Sequence, residues 1–107
     1  MYLDISNAFR YYIVVIVSFN SEEAAKIWAG EVSRKLPQDI QRVALRKLVV
    51  LNAVTDVTDL RTPPGNRLEA LKDDRRGQHS IRINSQWRVC FVWRDGNAHD
   101  VEIVDYH

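Results

Sequence analysis

The chain ends Asp105-Tyr106-His107, a carboxylate, a phenol and an imidazole in consecutive positions, and another carboxylate, Glu69, lies among lysines and arginines. These residue types suit metal-free RNA cleavage. That reaction needs a base for the 2′-hydroxyl proton, an acid for the departing 5′-oxygen, and cations that stabilise a crowded phosphorane. Histidine titrates near neutral pH and can take either proton role, and a neighbouring carboxylate can orient it or act as the base itself. Arginines on a strand face can hold a phosphate through two parallel N–H donors. Taken alone, a terminal histidine has a plainer reading as a frayed chain end.

Other chemistries find little support. The chain has neither GxxxxGK[ST] nor GxGxxG, so no loop is shaped to cradle a nucleotide's phosphates. His79, His99 and His107, with one cysteine, lack metal-ligand spacing, and neither metal nor cofactor is expected. There is no nucleophile elbow. Cys90 has no partner for an internal disulfide, which fits a reducing, cytoplasmic setting. Its apolar run, Val89-Cys90-Phe91-Val92, reads as strand core, with Cys90 a small core residue rather than a nucleophile. The run Tyr11–Val17 is far shorter than the roughly 20 residues of a membrane span, and no signal cleavage site follows it. A buried strand is the better reading, with no membrane partner.

The net charge of +1 conceals a division along the chain. Residues 1–60 carry seven basic and seven acidic side chains, whereas residues 61–94 carry eight basic and three acidic, a balance of +5. Residues 95–107 carry four acids and no Lys or Arg, a balance of −4. A concentrated positive stretch attracts phosphate backbones; a solvated surface accounts for the charge equally well.

The elements that must position these groups follow from periodicity. Tyr12 to Phe19 is rich in β-branched and aromatic residues and predicts a strand. Asn20 or Ser21 then offers an N-cap, and Ala24, Ile27, Trp28 and Val32 predict a first helix running to about Lys35. Trp28 reads as core, not a base-stacking platform. Pro37 stops this helix and can begin a second, whose apolar stripe is Ile40, Val43, Ala44, Leu48 and Leu51. Residues 52–66 form a long ordered loop, with Thr55 or Asp56 capping a short turn and Pro63-Pro64-Gly65-Asn66 forbidding regular structure. From Arg67 the period becomes two. Leu68–Leu71 is a short strand, 72–77 a polar turn, and alternation continues through His79–Asn84 and Trp87–Arg94. A turn at Asp95-Gly96-Asn97 leads to a last strand over Val101–Val104. The fold class is α+β, a curved antiparallel sheet with two N-terminal helices on one face. Arg82, Arg88 and Arg94 should then share the opposite, concave face.

The stretch from Pro63 to Asn84 (PPGNRLEALKDDRRGQHSIRIN) closely resembles the HigB branch of the RelE toxin superfamily. So do Gln86–Phe91 (QWRVCF), the ending Val101–His107 (VEIVDYH), and Ser33–Pro37 with Gln41-Arg42. The likeness runs from about Val15 to the end. It implies a RelE-like toxin that cleaves mRNA on the translating ribosome and is held inactive by a HigA-type helix-turn-helix antitoxin. Lys72 and Arg88 would be phosphate and transition-state cations, with Asp105, Tyr106 and His107 the terminal catalytic group. Glu69 stands where some relatives carry histidine, which leaves the base open among Glu69, Asp105 and His107. Arg67, Arg75 and Arg82 are expected to bind RNA, and Asp73 stands where relatives often have glycine. The resemblance also leaves open a non-catalytic binding module that engages the antitoxin or the ribosomal A site. Relatives usually open near the segment here written Val15-Ile16-Val17-Ser18-Phe19. Residues 1–14 are therefore expected to be an upstream extension, with 15–107 the toxin domain and Val15 the initiator.

Overall fold

A computed structural model of the chain describes residues 15–106. The expected extension Met1–Val14, the opening residues Tyr12–Val14 of the first predicted strand, and His107 lie outside the described residues.

Two helices form, α1 at Glu22–Trp28 and α2 at Gln38–Leu51. Ser21 caps α1, its hydroxyl accepting the Ala24 N–H at 3.1 Å, and Glu22 and Glu23 occupy the first turn where the helix dipole favours them. The helix stops well short of Lys35. Gly30 adopts φ 84°, its N–H reaching the Ile27 carbonyl and the Glu31 N–H reaching that of Lys26, a Schellman ending that glycine makes without steric cost. Residues 29–37 are then a loop fastened on Ser33. The Ser33 hydroxyl donates to Glu23 Oε1 and accepts the Lys35 and Leu36 N–H groups, while Gln41 bonds both its N–H and its carbonyl. Val32, expected on the apolar stripe, is 65% exposed. Pro37 is the residue before α2, not its first turn. Along α2, Ile40, Ala44, Leu48 and Leu51 are buried as the helical period requires, and Trp28 packs on the same core.

The sheet has four antiparallel strands in chain order: β1 (Glu69–Ala70), β2 (Gln78–Arg82), β3 (Trp87–Arg94) and β4 (Asn97–Asp105). Helix α1 packs on β4 and α2 on β3. They cover Ile81, Val89, Phe91, Ala98, Val101 and Ile103. The β3–β4 turn is tighter than predicted. Asp95 (φ 54°) and Gly96 (φ 77°) alone make it, a two-residue turn with both φ positive that closes on the Arg94–Asn97 pair. β4 therefore begins at Asn97, four residues before the predicted start. Between Cys90 and Val92 the register slips, with Asp100 left-handed at φ 53°, a bulge that bends the sheet.

Val15–Phe19 is not a regular strand. It makes two isolated parallel bridges to β4, Ile16 to Ala98 and Phe19 to Val101, because the bulge at Asp100 interrupts the ladder between them. Asn52 Oδ1 accepts the Val15 and Ile16 N–H groups at 3.0 and 2.9 Å. In the long loop, Asp56 caps a 3₁₀ turn at Val57–Arg61 through a capping box with Asp59. A second 3₁₀ turn at Pro64–Asn66 corrects the expectation that this stretch carries no regular structure: a 3₁₀ turn needs only one i→i+3 bond, here Arg67 N–H to Pro64. No helix of the described residues is long and apolar enough to cross a membrane.

Candidate active site

The sheet face turned away from the helices is built in rows by the strand register. Glu69 pairs with Ser80, Ser80 with Cys90, and Cys90 with Glu102, one residue from each of the four strands. The adjacent row is Arg82, Arg88 and Val104. Directly paired residues in an antiparallel sheet point to the same face, and like charges there repel. Arg82 opposite Arg88 is thus a local conflict, of the kind folded proteins keep at functional sites.

Arg88 is seated rather than free. Its Nε donates to Ser80 Oγ at 2.7 Å, its terminal nitrogen donates to the Arg67 carbonyl, and Glu69 Oε1 lies 3.8 Å away. The guanidinium carbon stands 5.6 Å from the centre of the Tyr106 ring, within cation–π range. The side chain is nearly enclosed, the residue 9% exposed, yet its fork borders two clefts. One of about 260 Å³ is lined by Arg67, Arg82, Asn84, Ser85, Arg88 and Tyr106. The other, of about 510 Å³, is lined by Arg67, Leu68, Glu69, Arg88 and Tyr106. A third cleft joins Glu69 and Tyr106 to Lys72. Tyr106 lines all three, its ring forming a wall they share.

Of the residues singled out in the sequence, Glu69, Lys72, Arg88, Tyr106, Arg67 and Arg82 thus converge. Arg75 does not. It bonds Glu102 at 3.0 Å and Gln78 at 3.0 Å, and the Glu102 hydrogen bond raises its pKa further. Its charge is matched within the protein, and it ties the turn that follows Lys72 to β4. Asp105 also stands apart. It pairs with Trp87, whose ring packs on the core, so its carboxylate lies on the helix-covered side, where Gln86 Nε2 bonds it at 3.0 Å. Arg94 sits at the far end of the face beside His99. His107 is outside the described residues.

Two residues of this face, Ser80 and Cys90, are not among the site residues singled out in the sequence, although alternation places both beside the arginines. Ser80, wholly buried, is the seat of Arg88, and only the strand register reveals that contact. Cys90 is buried as expected but on this polar face, not in the helix-covered core. Burial pushes its thiol up to about 11, which makes it a poor nucleophile at neutral pH. Among the described residues no three His, Cys, Asp or Glu side chains are placed to hold a metal ion.

Residues 17–107 match the model of the family described as the RelE-like toxin of type II toxin–antitoxin system HigB. The chain belongs to that family. It is similar to Toxin HigB-1 of Vibrio cholerae, 46% identical over 65 residues that cover 61% of this chain and 68% of the relative. It is also similar to the Endoribonuclease HigB of Proteus vulgaris, 30% identical over 94 residues that cover 87% of this chain and all of the relative. An uncharacterised Haemophilus influenzae protein is 32% identical over 72 residues, 67% of this chain and 71% of its own length. As a HigB-like toxin of a type II toxin–antitoxin system, the chain has an antitoxin as its partner.

Proposed function

We propose that this toxin is a cytoplasmic endoribonuclease that cuts mRNA on the translating ribosome and is silenced by a HigA-type helix-turn-helix antitoxin. The observation that carries this reading is the paired Arg82 and Arg88 on an open sheet face, with Glu69, Lys72 and Tyr106 around the same clefts. A relative bearing the name endoribonuclease along its whole length supports it.

In the proposed reaction the scissile phosphate meets Nη1 of Arg88, since Nε and Nη2 are engaged by Ser80 and Arg67, with Lys72 as a second point charge. Glu69, which lines two of the clefts and lies 3.8 Å from Arg88, takes the 2′-hydroxyl proton. The 2′-oxygen then attacks phosphorus, and Arg88 and Lys72 stabilise the phosphorane as its charge develops. His107 protonates the departing 5′-oxygen, leaving a 2′,3′-cyclic phosphate that can open to a 3′-phosphate. No step calls on a metal ion. Tyr106 holds Arg88 and the strand in line, Asp105 fastens the tail through Gln86, and Arg67 and Arg82 bind the RNA backbone.

Induced expression followed by mapping of mRNA 5′ ends tests the reading. Cuts inside reading frames, on fragments ending in cyclic or 3′-phosphate, are expected. Growth arrest without cuts would favour the non-catalytic binding module, and 3′-hydroxyl ends would exclude 2′-oxygen attack. Deleting His107 should abolish toxicity and leave antitoxin binding intact. We also propose initiation at Val15; an intact Met1 in protein made from the native gene would refute that.

A further inference from the structure

A cleft of about 530 Å³ lies beside the candidate active site rather than within it. Val43 of α2, Pro63 of the long loop and Ile83 give it apolar walls, and Arg46, Lys47 and Arg82 give it cations. No acidic side chain lines it among the described residues. Arg82 and Asn84 line both this cleft and the one beside Arg88 and Tyr106, so the two clefts adjoin.

Lys47 sets the character of the cleft. Its Nζ donates to Asn66 Oδ1, and Asn66 is buried and held by the Leu60 and Thr62 carbonyls at 3.2 and 3.3 Å. The ammonium is therefore kept in a fixed place, half-buried beside a neutral amide instead of a carboxylate. Desolvation and, next, the Arg46 charge lower its pKa. A partly desolvated cation without a counter-charge is stabilised by an arriving anion. Two unused ammonium donors remain for it.

We propose that this cleft is a second nucleotide subsite, which takes the nucleotide next to the scissile phosphate of a single-stranded RNA. The base lies against Pro63, Val43 and Ile83, and its phosphate meets Arg46 and Lys47. Apolar walls touch a base's face rather than its hydrogen-bonding edge, so the subsite tolerates any base. An acidic peptide would satisfy the cations, but the apolar walls beside them and the shared border at Arg82 and Asn84 favour a nucleic-acid strand. The assignment rests on the endoribonuclease reading, because it takes the clefts at Arg88 as the place of the scissile phosphate.

The test uses the intact chain and short single-stranded RNAs carrying one 2′-deoxynucleotide at the cleaved position, which removes the attacking oxygen. Oligonucleotides are lengthened one nucleotide at a time on either side of that position, and binding is read by fluorescence anisotropy. One added nucleotide, on one side only, should tighten binding about ten-fold. Arg46→Ala with Lys47→Met should remove that step and make the salt slope shallower by about 0.7 for each phosphate no longer held. Arg46 is exposed on α2, so Arg46→Ala alone keeps the fold and should weaken the same step. A step unchanged in Arg46→Ala and in the double variant, or equal steps for nucleotides added anywhere, would overturn the proposal. So would a polyglutamate peptide that outcompetes the RNA and loses affinity in Arg46→Ala. A one-sided step that disappears in the variants, in a wild-type chain that cuts no mRNA in cells, would refute the nuclease reading and leave the subsite standing.

Discussion

The two sides of β3 are about equally shut off from water and differ in almost everything else. Val89 and Phe91 face the helices, both 0% exposed, and Arg88 and Cys90 face the other way, 9% and 0% exposed. On the first side burial is achieved by packing: Phe91 meets Trp93 edge-on at 6.4 Å and stacks on His79 at 6.1 Å. On the second side it is achieved by named partners, because a buried guanidinium must find acceptors. Burial therefore does not separate core from site. The helix-covered side tolerates any arrangement that fills space, whereas the open side depends on single bonds such as Arg88 to Ser80.

Four measurements can break or sharpen this contrast. Phe91→Ala should cost about 3–5 kcal/mol of folding stability through the cavity it leaves, read by urea unfolding, with activity per folded molecule unchanged. Arg88→Lys keeps the charge and loses the planar fork. Cleavage in a translation reaction should fall about 100-fold or more, while the urea midpoint moves far less than for Phe91→Ala. If Arg88→Lys unfolds the chain as badly as Phe91→Ala, the two sides do not differ as argued. Ser80→Ala removes the acceptor of Arg88 Nε and should lower kcat about ten-fold, a loss that Ser80→Thr restores in part. Equal activity in Ser80→Ala would mean Arg88 holds its place without the seat.

The smallest effect concerns Cys90. Its folded-state pKa is raised, from an ordinary value of 9.0 to about 11. The folded chain therefore holds the thiol proton more tightly than the unfolded chain. That contribution is complete below the ordinary value and disappears as pH rises towards about 11. The urea midpoint should fall over this range more steeply in the wild type than in Cys90→Ala. Parallel curves would show that the polar side does not disfavour the thiolate.

Much of this arrangement is legible in the residues. The period of two locates β2 and β3, and the 3.6 period locates α2, because those elements bury one continuous stripe each. The predicted first helix overruns α1 because apolar spacing continues to Val32 while Gly30 supplies the stop. The start of β4 is obscured because its bulge rests on Asp100, a left-handed residue with no glycine to mark it. Within the site, the convergence of Glu69, Lys72, Arg88 and Tyr106 follows the motif. The placing of Asp105 is open to anticipation: with Ile103 in the core, alternation carries Asp105 to the same side and Tyr106 to the other. Arg75 is not readable as a bracket, because its partner Glu102 lies 27 positions later and only the fold brings them together.

The parallel bridges between Val15–Phe19 and β4 reach beyond the sheet they border. They occupy backbone groups on the outer edge of β4, while the opposite edge strand, β1, is only two residues long. Among the described residues, neither edge presents a long free ladder on which a second molecule could add its own strand. The Ile16–Ala98 bridge spans 82 positions (98 − 16), among the most distant pairings in the described chain. Closing so long a loop is entropically costly, so the bridge gains most once β3 and β4 already stand together. Until the bridges form, the outer edge of β4 carries unpaired backbone groups, so strand addition there is favoured during folding rather than in the finished molecule.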